Sequence, residues 1–292
     1  MDGVIQLGPL MLASDRLFAV AALWLFLSAG TWIGARTESR AARAAWVAAL
    51  AGVLVARLAY VAENFTAFAV EPWTILAFWQ GGFTIWAGVA AAAVMVALLL
   101  GRQRATGGLL ASLAALALTH MGMMHWLAPP ARPLPQGIVL AQMDGQSLPL
   151  DSLRGRPFAL NLWATWCPPC RREMPMLIDV ASGSKVPILL VNQREGQAAI
   201  TAYLKREKLS AASIAVDPTG SLSEATQAQA FPTTLFVDAT GRIRSIHAGE
   251  ISRAALTAAI RDLERIRYEE ITPDRRNERH RACRRRCSPP GR

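Results

Sequence analysis

The sequence predicts a helical membrane domain with four transmembrane helices, followed by an α/β domain with a mixed β-sheet. Three observations carry this. Nearly all the apolar excess of the 292-residue chain lies before Pro129, strand and helix patterns alternate after it, and Trp166-Cys167-Pro168-Pro169-Cys170 stands where a strand runs into a helix.

Four apolar runs, Leu17–Ala35, Ala45–Val61, Phe83–Leu100 and Leu109–Leu127, each have about the length that crosses ~30 Å of hydrocarbon. Asp2 and Asp15 before the first run, with Arg16 the only base there, argue against a cleaved signal peptide. Arg36, Arg40 and Arg43 lie in the first connection and Arg102 and Arg104 in the third, whereas residues 62–82 hold Glu63 and Glu71 and no Lys or Arg. Positive charge marks the cytoplasmic side, so four crossings leave everything after Leu127 outside, in the periplasm of a Gram-negative cell. Arg57, near the outer end of the second run, is expected to snorkel toward the interface. His120-Met121-Gly122-Met123-Met124-His125 reads as a Met-rich helix end rather than a copper site, because helical spacing puts its two His–Met pairs on different faces.

Val4-Ile5-Gln6-Leu7-Gly8-Pro9-Leu10, Ala56-Arg57-Leu58-Ala59-Tyr60-Val61, Glu71-Pro72 and Phe78-Trp79-Gln80-Gly81-Gly82-Phe83-Thr84-Ile85-Trp86-Ala87-Gly88 resemble the first part of prolipoprotein diacylglyceryl transferases. That family moves a diacylglyceryl group from phospholipid to a lipoprotein cysteine. It carries a His after its Gly-Gly-x-Ser-Phe run, where this chain has Trp86, and its later helices have no counterpart here. The resemblance implies a transferase-derived anchor; a lipid-modifying transferase with an accessory domain is the alternative.

The net charge of +10 is concentrated at the end: residues 272–292 hold eight Arg against two acids, whereas residues 129–271 hold sixteen Lys and Arg against fourteen acids. Basicity of this kind is no evidence of a nucleic-acid partner. The expected organisation is a membrane domain over 1–128, a stiff Pro-rich linker over 129–137, an α/β domain over 138–267 and a disordered basic tail over 268–292.

In the α/β domain, 138–142 and 147–150 flank Asp144-Gly145 as a hairpin. Strands are expected at 158–163, 187–192, 213–216, 233–237 and 242–247. Helices are expected at 169–180, 197–208 and 252–266, with a short one opened by a Ser221–Glu224 capping box. This order matches a thioredoxin fold.

A thiol attacks a disulfide only as thiolate, and an ordinary Cys with pKa about 8.5 is mostly protonated at neutral pH. Cys167 falls at a helix start, where unpaired N–H groups and the helix dipole favour its anion, and Arg171 and Arg172 add positive charge. Cys167 is therefore the expected nucleophile. Cys170, one turn on, is the expected buried resolving thiol that attacks the mixed disulfide from within. A zinc site needs four ligands, and the other Cys pair, Cys283 and Cys287, lies a whole domain away in the tail, where it reads as incidental. No metal and no cofactor are expected.

Asn161 to Cys170, Glu173-Met174-Pro175, Phe231-Pro232-Thr233-Thr234 and Asp238-Ala239-Thr240-Gly241 resemble the membrane-anchored thioredoxins of the TlpA/ResA type, which include those of cytochrome c maturation. The resemblance spans about residues 138–267. It implies a redox-active disulfide between Cys167 and Cys170, with Trp166 beside it and a cis Pro232. Phe231 and Pro232 would pair with an extended substrate. Asn161 stands where cytosolic thioredoxin has a buried proton-accepting Asp, which leaves Glu173 as a candidate for that proton, against its reading as a solvated helix acid. The expected partners are exported disulfide-containing proteins and, since no Cys lies in the membrane part, a separate electron donor of the DsbD/CcdA kind. Reductase is the leading direction; a disulfide-forming oxidase and a non-catalytic adaptor are the alternatives.

Overall fold

The computed structural model describes residues 4–7, 10–37, 40–127, 130–228 and 230–271. Cys283, Cys287 and the tail from residue 272 on lie outside them, as do the side chains of Met124 and His125.

A small hairpin of β1 (Val4–Leu7) and β2 (Leu10–Ala13) leads into four helices: α1 (Ser14–Thr37), α2 (Ala41–Glu63), α4 (Ile85–Leu100) and α5 (Arg104–Leu127); the short α3 (Phe65–Val70) lies in the second connection. Three of them, α1, α2 and α5, are long and apolar enough to span a membrane, which corrects the expectation of four long spans. α4 has 16 residues, a rise of about 24 Å that falls short of ~30 Å. The run loses its first two residues because Gly81 and Gly82 adopt positive φ and Thr84 is extended, its N–H donating to Ala56 O at 3.0 Å.

The bundle core is built from small residues. Ala41, Ala44, Ala45 and Ala48 are buried with Phe26, Val96, Leu100 and Leu109, while Trp24, Leu50, Leu54 and Leu98 face outward. α2 and α4 touch at Gly52 and Gly88, where a Cβ on Gly88 would stand 2.8 Å from the Gly52 carbonyl oxygen. Without a hydrophobic drive inside lipid, such close backbone approach is what holds helices together. Arg36 and Arg104 line one cleft, so the two arginine-bearing connections share one end of the bundle.

The opposite end is organised by Arg57, and the snorkelling expectation is wrong. Its side chain is 3 % exposed. It donates to four carbonyl oxygens of the second connection: Nε to Ile75 (3.0 Å), Nη1 to Gly81 (2.6 Å) and Gly82 (3.0 Å), and Nη2 to Thr74 (2.7 Å). The rings of Phe68, Phe78 and Phe83 surround it. Backbone that does not form helix at membrane depth needs partners of its own, and one guanidinium supplies four of them. Arg57→Leu is expected to destabilise the membrane domain by about 3 kcal/mol or more by orphaning these carbonyls. A lowered thermal midpoint of the detergent-solubilised chain, together with protease sensitivity within 71–82, is the check.

The second half is an eight-stranded mixed sheet in the order β3-β10-β9-β6-β7-β8-β4-β5. Its strands are β3 (Arg132–Pro133), β4 (Val139–Gln142), β5 (Ser147–Pro149), β6 (Phe158–Trp163), β7 (Ile188–Gln193), β8 (Ile214–Asp217), β9 (Thr233–Val237) and β10 (Arg242–Ala248). β6 is central and buried throughout; it runs parallel to β7 and antiparallel to β9, which explains its unbroken apolar sequence. One face carries α6 (Pro168–Gly183), α7 (Gln197–Glu207) and α9 (Arg253–Ile271), packed through Met174, Leu177, Ile200, Leu256 and Ile260. The other carries α8 (Ser221–Thr226), whose Leu222 is buried with Leu140 of β4, Leu150 just after β5, and Leu160 and Leu162 of β6.

Three local expectations change. The Pro-rich stretch is more than a spacer: Arg132–Pro133 pairs with β10 as an edge strand and Leu134 is buried in the core, a role open to Pro because an edge leaves its missing N–H unneeded. No Ser221–Glu224 capping box forms; Asp217 accepts from the N–H groups of Ser221 (3.1 Å) and Leu222 (2.8 Å), and Glu224 pairs with Arg194. α9 continues to Ile271, so the first residues of the expected tail are helical.

Candidate active site

β6 ends at Trp163, whose indole is fully buried and lies tilted against Tyr203 of α7 (ring centroids 5.6 Å apart). The chain then turns through Ala164–Trp166 and starts α6 with Cys167 as its N-cap. Pro168 and Pro169 fill the first turn, where a missing N–H costs nothing. Cys167 and Cys170 form a disulfide, and the Cys170 N–H points at Cys167 Sγ, 3.3 Å away. Cys167 is 3 % exposed and Cys170 fully buried.

Across from the pair, Phe231 and cis Pro232 open β9. Trp166 is 67 % exposed and its ring lies 6.1 Å from that of Phe231, which packs against the core cluster that holds both cysteines. Trp166, Cys167, Cys170, Phe231 and Pro232 are thus brought together from two stretches more than sixty residues apart.

The family model for redoxin matches residues 129–278, just over half of the chain. The chain belongs to the redoxin family. A second model, for prolipoprotein diacylglyceryl transferase, matches residues 3–124. The redoxin domain is therefore of the ResA/DsbE type and is fused to a transferase-like membrane domain. Similarity to a thiol-disulfide oxidoreductase ResA of Halalkalibacterium halodurans is 33 % identity over 114 residues, 38 % of this chain and 64 % of that protein. The ResA of Geobacillus kaustophilus is 31 % identical over 138 residues, 46 % of this chain and 74 % of that protein. The chain thus spans about two thirds of the length of these relatives. A crystal structure of a putative thiol:disulfide interchange protein DsbE from Chlorobium tepidum aligns at 23 % identity with a TM-score of 0.41, covering 46 % of this chain and 96 % of that one. A redoxin domain with a Cys-x-x-Cys disulfide has the equipment of a thiol–disulfide oxidoreductase. The transferase-like helices anchor it in the bacterial inner membrane with the redoxin domain facing the periplasm, at the end of the bundle away from the arginines.

Glu173 of the redoxin domain is not a solvated helix acid. It is 3 % exposed, accepts from Asn161 Nδ2 (2.9 Å) on β6 and from the Ile251 N–H (2.8 Å), and sits one turn beyond Cys170. Burial pushes its carboxyl up to about 8, although both hydrogen bonds oppose the rise. Asn161 also donates to Thr234 Oγ1 (3.0 Å), so one amide joins β6, β9 and α6. The expected cationic help from Arg171 and Arg172 is largely compensated: Arg171 pairs with Glu207 and Arg172 with Glu250.

Sequence reasoning missed Glu195. Its carboxylate accepts from the Thr165 N–H (2.6 Å), Thr165 Oγ1 (2.5 Å) and Asn192 Nδ2 (2.7 Å), and so ties down the turn just before Trp166 and Cys167. The only signal was an acid two residues after β7. The parallel register that sets Asn192 beside Trp163 is what carries it to the turn.

Proposed function

We propose that this redoxin is a membrane-anchored protein-disulfide reductase acting on exported proteins. Its transferase-like helices hold it at the membrane, with the redoxin domain on the periplasmic side. In the reduced state the Cys167 thiolate attacks one sulfur of a substrate disulfide, forming a mixed disulfide and releasing the first substrate thiolate. Phe231 and Pro232 hold the substrate in extended form and Trp166 covers its side. Cys170 then gives its proton to Glu173, whose ionised fraction is the acceptor, and attacks Cys167 Sγ. The second substrate thiolate leaves, and the Cys167–Cys170 disulfide remains. Two electrons and two protons from a membrane donor of the DsbD/CcdA kind restore the dithiol. No metal or cofactor takes part, and apocytochromes c are among the candidate substrates.

The observation that carries the reading is a buried carboxyl on the active-site helix, one turn beyond the second cysteine of the Cys167–Cys170 disulfide. It gives the resolving thiol a proton acceptor in a place water does not reach. A donor-fed reductase rests reduced, so alkylation with a mass tag in intact cells is expected to find Cys167 and Cys170 mostly as thiols. A mostly oxidised pair would reverse the direction and make the protein an oxidase.

A further inference from the structure

The redoxin domain rests on the second connection of the membrane domain. α9 lays Ala254 against Ala67 and Phe68, and Arg261 Nη2 donates to Asn64 Oδ1 (2.7 Å). Two further side chains do more than dock. Glu250 accepts from Gln80 Nε2 (3.2 Å) of the membrane domain with one oxygen, and from Arg172 Nε (2.9 Å) and Nη2 (2.7 Å) of α6 with the other. Arg253 donates through Nε (3.0 Å) and Nη2 (2.9 Å) to Glu71 of the membrane domain, and through Nη1 (2.7 Å) to Asp179 of α6. Between them sits Ile251, buried, whose N–H holds Glu173.

We infer that Glu250 and Arg253 are positioning residues through which the membrane domain holds the redox helix and its buried carboxyl in register. The inference rests on the dithiol reading above. Each bridge ends on the membrane side at a connection fixed by Arg57, and on the other side at α6, so the three-residue span from 250 to 253 is clamped at both ends. Ile251 therefore stays packed over Glu173 and keeps water out. The groups that face Glu173 are Arg172 on its own helix, Asn161 on β6, Thr234 on β9 beside Asn161, and Glu250 and the Ile251 N–H in the loop; His247 of β10 bonds the Glu250 carbonyl. Loosening the loop hydrates the carboxyl, and burial is the largest influence on it, so release of the clamp shifts its ionisation toward the ordinary range.

The test uses the full reduced chain in nanodiscs, with the Cys167 peptide followed by mass spectrometry during iodoacetamide alkylation from pH 5 to 10. The step owed to Glu173 is the one absent from Glu173→Gln. The pair Glu71→Ala with Gln80→Ala, which cuts only the membrane side of each bridge, is expected to move that step by about one pH unit to lower pH. Glu250→Gln, which alters no membrane-domain residue and keeps the side chain's size, is expected to move it the same way by removing a nearby negative charge. A step unmoved in either, or moved equally by Arg261→Ala, which cuts a docking contact that does not reach α6, overturns the inference. Failure of the dithiol reading looks different: the parent itself then shows an ordinary thiol profile and reduces no insulin disulfide.

Discussion

Cys167→Ser is expected to abolish reduction of a model disulfide by the full chain, a loss of about 1,000-fold or more, because the attacking sulfur is removed and serine's hydroxyl is no substitute at neutral pH. Cys170→Ala is expected to fail differently. Cys167 is unchanged, so its attack is expected still to form the mixed disulfide, but the fully buried sulfur that resolves it is gone. The variant should therefore accumulate covalent complexes with exported proteins, visible as reductant-sensitive bands of higher mass on non-reducing gels. The asymmetry is the diagnostic point. If both variants trapped substrate equally, the two sulfurs would be interchangeable and the assignment of roles from burial would fall.

Glu173→Gln is expected to lower turnover by roughly 100-fold while making the fold more stable at alkaline pH. The sign follows from linkage. A carboxyl pushed up to about 8 in the folded state, against about 4.5 in the unfolded chain, binds its proton more tightly when folded. Its contribution is fully present below pH 4.5 and is lost as pH rises through 8, a swing of roughly 5 kcal/mol for a buried group at 1.36 kcal/mol per unit. Gln cannot ionise, so the variant loses this slope. Thermal midpoints of the parent and Glu173→Gln chains should coincide near pH 5 and separate by several degrees at pH 8, with the variant the higher. A parent midpoint flat from pH 5 to 8 would show that Glu173 is hydrated and is no acceptor for the Cys170 proton.

These effects arise from a site that the amino-acid sequence displays only in part. Strand β6 and the helix that follows were legible because an unbroken apolar run, a Cys-x-x-Cys and two prolines at N1 and N2 each obey local rules. The hairpin around Gly145 was legible for the same reason: Asp144 Oδ1 accepts from the Gln146 N–H, and Gly145 takes φ 85°, which glycine adopts without strain. Phe231-Pro232 was placed only by resemblance, since nothing in its own neighbours says that it faces residue 167.

By itself, then, the sequence determined what periodicity, charge and turn chemistry dictate: a helical membrane half, an alternating α/β half, the compartment, and the pair of sulfurs at a helix start. Tertiary structure decided what each polar side chain does. Arg57 clamps four carbonyls instead of reaching for the interface, Glu173 is buried against Asn161 and the Ile251 N–H instead of solvated, and Glu195, Glu250 and Arg253 join segments far apart in the chain. The reason is physical. Apolar patterning follows from contacts within one element, whereas a charged group's state depends on how much water reaches it and which dipoles surround it, and both are set by residues distant in sequence.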